Sequence, residues 1–177
     1  MTHFVALLRG VNVGGITVRS AELRDLFEEL GFEHVRTVLA SGNVAFETTD
    51  AGTSAALKAR IEAALRDRFG YDAWIVLVTR AEVEKAIAAF PFDAEDARRQ
   101  PWVVFGSDEA VLDELAEAAA SLDDDVDPIA HGDGVLYWNP VKGTSVDTPF
   151  ARLLARAAYR STTTNRNLRT LQKIVAR

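Results

Sequence analysis

The chain opens on consecutive apolar residues, Phe4-Val5-Ala6-Leu7-Leu8, and then changes rhythm. A run without alternation suits a strand covered on both faces, so His3 to Leu8 is predicted as a central strand. Beyond a glycine-rich stretch, Leu23, Leu26, Phe27 and Leu30 fall at i, i+3, i+4 and i+7, one face of a helix with Ser20 as its N-cap and Gly31 as its stop. Val35, Thr37 and Leu39 alternate with Arg36 and Val38 in a more exposed strand. Ser41-Gly42-Asn43 has turn chemistry, and Val44-Ala45-Phe46 returns as the partner strand. Leu57, Ile61, Leu65 and Phe69 draw a second helix that ends at Gly70, and Trp74 to Val78 is again densely apolar. The resulting β-α-β-β-α-β order is the split βαβ pattern of a ferredoxin-like unit, for which the sheet order would be 4-1-3-2.

The second half begins with Thr79-x-x-Glu82, a capping box, and continues with Val83, Ile87 and Phe90 on a helix face that Pro91 ends. Asp93 to Pro101 reads as an acidic loop or linker. Trp102 to Phe105 is a strand, and Val111, Leu112, Leu115 and Leu122 mark a helix. Val126 to His131 and Val135 to Trp138 flank Gly132-Asp133, a hairpin turn signal. Pro149 at a first helical position starts another helix through Leu153, Leu154 and Ala157, and Leu168, Leu171 and Val175 draw a last short one. The fold class is therefore α+β, with an N-terminal ferredoxin-like βαββαβ subdomain over residues 1–78. A second α/β subdomain follows over residues 79–177, in β-α-β-β-α order with basic C-terminal helices. Both could also form one compact unit, and no residue-level repeat relates them.

Charge changes this picture more than composition does. The net charge of -6 argues against an unspecific polyanion binder, but from Ala151 to Arg177 there are seven basic residues and no acidic one. The basic segment could pair with the acidic stretch Asp93 to Asp127, or attract an anion to one face. The absence of cysteine excludes disulfides, thiolate metal sites and a cysteine nucleophile. Met1-Thr2-His3-Phe4-Val5 has neither the basic flank nor the cleavage site of a signal peptide. No apolar run approaches the ~18 residues of a membrane span, so a cytoplasmic protein without a membrane partner is the default.

The candidate chemistry centres on Arg9-Gly10-Val11-Asn12-Val13-Gly14-Gly15. A glycine loop between a strand and a helix can leave backbone N–H groups facing an anion. In a 4-1-3-2 sheet the first strand is antiparallel to the third, so this loop should face Ser41-Gly42-Asn43. Asn12 and Asn43 would offer amides and Arg9 a bidentate fork for phosphate or carboxylate. Equally open is that the glycines only make tight turns and Arg9 pairs with a carboxylate. Stronger motifs fail: Ile16-Thr17 stands where a P-loop needs Lys-Ser/Thr, and no Gly-x-Gly-x-x-Gly or Gly-x-Ser-x-Gly occurs. Asp123, Asp125 and Asp127 mimic a calcium loop, but Pro128 and Gly134 stand where glycine and glutamate are required, so the run reads as a solvated turn. His3, His34 and His131 lack metal-ligand spacing and read as ordinary strand-end residues. Thr164-Asn165-Arg166-Asn167-Leu168-Arg169-Thr170 is a donor-rich lead into a helix, suited to an anion or to capping. Arg152, Arg156 and Arg160 would form one basic helical stripe. It lacks the interleaved aromatics that nucleic-acid binding favours.

Several of these stretches together resemble a bacterial family. Leu7-Leu8-Arg9-Gly10-Val11-Asn12-Val13-Gly14-Gly15, then Leu23-Arg24, Leu30-Gly31-Phe32 and Val35-Arg36-Thr37, then Ser41-Gly42-Asn43-Val44-x-Phe46, are similar to the family catalogued as domain of unknown function 1697. Thr164-x-Arg166-Asn167-Leu168-Arg169-Thr170-Leu171 resembles its closing Thr-Thr-Arg-Asn segment. The resemblance implies a two-part α/β protein with a ferredoxin-like first half, and brings no reaction, substrate or catalytic residue. The chain departs from that pattern at Asn165, where threonine is usual. It also departs over Gly143-Thr144-Ser145-Val146-Asp147, where a Ser-Lys pair is common and Lys142 is the nearest lysine.

The leading expectation is a binding protein for a small phosphate- or carboxylate-bearing ligand, with a pocket built from Arg9, Asn12, Gly14, Gly15, Ser41, Asn43, Arg166, Asn167 and Thr170. No cofactor or metal is implied. One alternative is a protein or RNA interaction module using the basic C-terminal helices. Another is a transferase or hydrolase, for which no general base stands out.

Overall fold

Strand β1 (Thr2–Arg9) buries Val5, Ala6, Leu7 and Leu8 in succession, and the rest of its sheet is assembled on it. The structure, a computed structural model, describes residues 1–9, 17–39, 42–50 and 52–176. The chain divides into two units, Met1–Val83 with Lys173–Arg177, and Glu84–Gln172. In the first unit, β1 is followed by α1 (Ser20–Glu29), β2 (Glu33–Val38), β3 (Asn43–Thr48), α2 (Ser54–Phe69) and β4 (Trp74–Thr79). The sheet order is β2-β3-β1-β4, with every pair antiparallel. Leu23, Leu26 and Phe27 of α1 and Leu57, Ile61 and Leu65 of α2 cover one sheet face, packing on Ala6, Leu8, Val44, Phe46 and Ile75.

Helix ends here follow local chemistry. Gly31 and Gly70 take φ of 90° and 67°, the left-handed conformation that ends a helix at no steric cost to glycine. Ser20 is not the N-cap of α1. It is the first helical residue, while Arg19 is the extended cap and makes no side-chain cap bond; the cap carbonyl instead accepts from Leu23 N–H at 2.9 Å. Leu39 lies outside β2 because its φ of 59° turns the chain away from the extended conformation.

Helix α3 (Arg80–Ala88) starts with the expected capping box, Thr79 N–H to Glu82 Oε2 at 2.7 Å and Glu82 N–H to Thr79 Oγ1 at 3.1 Å. The chain continues with β5 (Trp102–Gly106), α4 (Glu109–Ala119), β6 (Ile129–His131), β7 (Val135–Trp138), α5 (Pro149–Leu154), α6 (Ala157–Arg160) and β8 (Thr163–Asn167) of the second unit, and with α7 (Leu168–Val175), whose residues from Lys173 onward are counted with the first unit. The sheet order of the second unit is β6-β7-β5-β8, again all antiparallel. Numbered within each unit, both sheets run second-third-first-fourth. Among the described residues there are two antiparallel four-stranded sheets and seven helices, and no helix is long and apolar enough to cross a membrane.

Four expectations for this unit need correction. The order β-α-β-β-α omits β8, because Thr163–Asn167 contains no apolar residue, yet it pairs with β5 from Trp102↔Asn167 to Gly106↔Thr163. The predicted strand from Val126 begins only at Ile129, and Leu122 lies beyond α4. The single helix through Leu153, Leu154 and Ala157 is broken, with Arg156 as an extended cap (φ -63°, ψ 147°) between α5 and α6. Burial explains the break. At about 100° per residue, an unbroken helix would set Tyr159 opposite Phe150. Both rings are buried, at 6% and 0% exposure, so the chain must turn between them.

Candidate functional site

The register of β1 against β3 sets what lies at the loop end of the first sheet. Leu7 pairs with Asn43, and Leu8 N–H donates to Gly42 C=O at 2.9 Å, so Arg9 ends β1 beside the Gly42-Asn43 turn. On its other side Arg9 pairs with Trp74 of β4. Asn43 is buried, and its Nδ2 donates to Val38 C=O at 2.9 Å, closing the connection between β2 and β3. Asn12, Gly14, Gly15 and Ser41 lie outside the described residues.

Arg166, Asn167 and Thr170 belong to the second unit, and the donor-rich segment expected to lead into a helix is, up to Asn167, the strand β8. Its polar groups are engaged there. Arg166 is 8% exposed and its Nη1 donates to Thr164 Oγ1 at 2.6 Å and Asn165 C=O at 2.9 Å. The N–H groups expected to face an anion are used as well, Leu168 N–H by Pro101 C=O and Arg169 N–H by Asn167 Oδ1, each at 2.9 Å. Thr170 is half-buried on α7.

Two other charged features differ from expectation. The run Asp123 to Asp127 is only partly a solvated turn. Asp123 and Asp125 form an exposed Asx turn, but Asp127 is 1% exposed and accepts from Trp138 Nε1 at 2.9 Å and Phe150 N–H at 3.1 Å. The calcium-like spacing conceals a core carboxylate tying β7 to α5. Arg152, Arg156 and Arg160 are exposed, and none of them forms an ion pair among the described residues. The break at Arg156 means that they do not share one helical stripe.

A further cluster in the first unit escaped the sequence. His3 pairs in register with Glu47, and its Nδ1 lies 3.1 Å from Glu47 Oε1. His34 Nδ1–H donates to Glu47 Oε2 at 3.0 Å. His34 reaches that carboxylate through a bulge. Register shifts between Glu33↔Glu47 and Arg36↔Ala45, and His34 takes φ of 50°. An extra residue in one strand re-aims a side chain in this way, and non-glycine residues seldom adopt such a φ. Arg36, on the same sheet face, donates through Nη2 to the carbonyls of Ile174 and Ala176 and through Nη1 to that of Lys173. Arg80 donates to Val175 C=O. These groups line a cavity of about 390 Å³, with Ile174 beside them and Val5 and Ala45 beneath. No group of three or more His, Cys, Asp or Glu among the described residues is arranged to hold a metal ion.

This architecture defines a mixed α+β protein with two antiparallel four-stranded sheets, and comparison with known proteins gives it a family. The chain belongs to the family described as Protein of unknown function (DUF1697), whose model matches residues 1–137. Its fold is similar to that of the conserved bacterial protein SP0830 from Streptococcus pneumoniae, with a TM-score of 0.81 and 26% identity over 98% of this chain and 97% of that chain. No curated protein matches it.

Proposed function

We propose that the protein binds a small phosphate- or carboxylate-bearing ligand at the loop end of the first sheet, with Arg9 as the charged partner of the anion. The observation that carries this reading is the register that sets the end of β1 against Gly42-Asn43. That register gives Arg9 a turn as neighbour, and a turn is where backbone donors can gather around an anion. Asn12, Gly14, Gly15 and Ser41 are proposed to supply those donors, and Asn43 to hold the turn. In the second unit, an anion at Arg166 would compete with the hydrogen bonds that its Nη1 already makes to Thr164 and Asn165. We read the first unit as ferredoxin-like, which its β-α-β-β-α-β order supports, and the protein as cytoplasmic.

Calorimetric titration with inorganic phosphate and with a nucleoside triphosphate tests this. Binding that weakens about tenfold in Arg9→Ala is expected, the loss of one charge-assisted hydrogen bond. Equal affinity in wild type and variant would overturn the assignment.

A second reading, a protein or RNA interaction module, is favoured by Arg152, Arg156 and Arg160, which are exposed and form no ion pair among the described residues. It requires binding of a single-stranded RNA probe that falls steeply with salt, because neutralised phosphates release counterions. A salt-independent or absent response would remove it.

A further inference from the structure

The His3-Glu47-His34 cluster has a chemical polarity that its geometry fixes. A carboxylate only accepts hydrogen bonds, so in each neutral imidazole the proton sits on Nδ1, facing Glu47. A bare Nδ1 at these distances would set a lone pair against a negative oxygen. Each Nε2 is then an acceptor, and neither makes a hydrogen bond among the described residues. Glu47 thus orients two outward-facing proton acceptors from one carboxylate, and the bulge at His34 exists where that orientation is needed.

Arg36 supplies the opposite character on the same cavity. A guanidinium has five N–H donors, and the three carbonyls it contacts leave donors over. Those carbonyls, at the C-terminal end of α7, carry only partial negative charge, and among the described residues Arg36 forms no ion pair with a carboxylate. The cavity, about 390 Å³, has the size of a small-molecule site, and Val5 and Ala45 give it an apolar floor.

We propose that this cavity is a second ligand site of the first unit, built for a small hydroxylated anion. The hydroxyl groups of the ligand donate to Nε2 of His3 and His34, its phosphate or carboxylate pairs with Arg36, and Glu47 is the positioning residue for both imidazoles. His3 is the second residue of β1 and Arg9 its last, so the two sites occupy opposite ends of one strand.

The test is a titration of the full chain with glycerol 3-phosphate, observed through the histidine side-chain nitrogens by NMR and in parallel by calorimetry. Both Nε2 resonances are expected to shift. The dissociation constant should rise about tenfold in His3→Ala and again in His34→Ala, the usual effect of losing one hydrogen bond to an anionic ligand. Their side chains are 49% and 71% exposed, so alanine leaves the fold intact. Inorganic phosphate should bind this cavity more weakly, and glycerol alone should leave the histidines unmoved. Glu47→Gln should change the tautomer of at least one imidazole, and unchanged tautomers would remove its positioning role. Arg9→Ala should leave the histidine response intact even if phosphate binding at the loop end is lost. The proposal is overturned by unmoved Nε2 resonances at high probe concentration, by wild-type affinity in the His3→Ala/His34→Ala double variant, or by a histidine response that Arg9→Ala abolishes.

Discussion

The two units arrange their four strands in the same order but complete the sheet with opposite chemistry. In the first unit the fourth strand is β4, Trp74-Ile75-Val76-Leu77-Val78-Thr79. In the second it is β8, Thr163-Thr164-Asn165-Arg166-Asn167, which has no apolar side chain. Both are edge strands paired only to the first strand of their unit. Main-chain pairing therefore decides which segment becomes a strand, and polar side chains survive burial on β8 by bonding one another and nearby carbonyls. Thr163 Oγ1, for instance, donates to Tyr159 C=O at 2.8 Å. The donor-rich segment of the second unit thus uses several of its polar groups inside its own unit, whereas the first unit has polar groups at both ends of β1.

Each unit also contains a buried carboxylate, and these two give the largest tests of the contrast. Asp127 holds two donors of the core, Trp138 Nε1–H and Phe150 N–H. Asp127→Ala strands both, and a loss of about 3 kcal/mol in urea unfolding is expected. Glu62 of α2 accepts from Ile75 N–H of β4 and from Lys58, each at 3.0 Å. Lys58 can turn to solvent, so Glu62→Ala should cost less, about 2 kcal/mol. The reverse ranking would mean that the polar core of the second unit is not what holds β7 to α5. Arg166→Met keeps the aliphatic body but removes the bonds to Thr164 and Asn165, for an expected loss of about 1 kcal/mol with phosphate affinity unchanged. Lost phosphate binding without lost stability would move the ligand into the second unit.

The smallest effect concerns pH. The hydrogen bond that His131 Nε2–H donates to Asp113 Oδ1, then the one its Nδ1–H donates to Gly132 C=O, holds the His131 pKa above its ordinary 6.5. A raised histidine contributes its stability in full below the unfolded value and loses it as pH rises through the folded one. Both partners are substantially exposed, so the contribution is about 0.3 kcal/mol. The stability difference between wild type and Asp113→Asn should therefore be present near pH 5.5 and gone by about pH 9. A difference that persists at the alkaline end would contradict the assignment.

Much of the first unit is legible in the sequence because its signals are local. The unbroken apolar run of β1, the spacing of Leu57, Ile61 and Leu65, the stops at Gly31 and Gly70 and the Thr79-Glu82 capping box each depend on a few neighbouring residues. What escaped depends on distant partners. β8 is a strand only because β5 lies beside it, and the helix break at Arg156 is set by where Tyr159 must be buried. Asp127 is invisible among surface aspartates until Trp138 and Phe150 are folded against it. His3 and Glu47 could have been matched by extending the β1–β3 register from Leu7↔Asn43. The bulge that brings in His34 has no sequence signature.

The measurement that bears most directly on the central claim is backbone amide NMR during titration with inorganic phosphate. At low phosphate concentration, perturbations concentrated at Arg9, Gly42 and Asn43 are expected, with Thr164, Arg166 and Asn167 unmoved. Perturbations confined to β8 and the start of α7 would show that the polar segment of the second unit carries the anion, and would contradict the account.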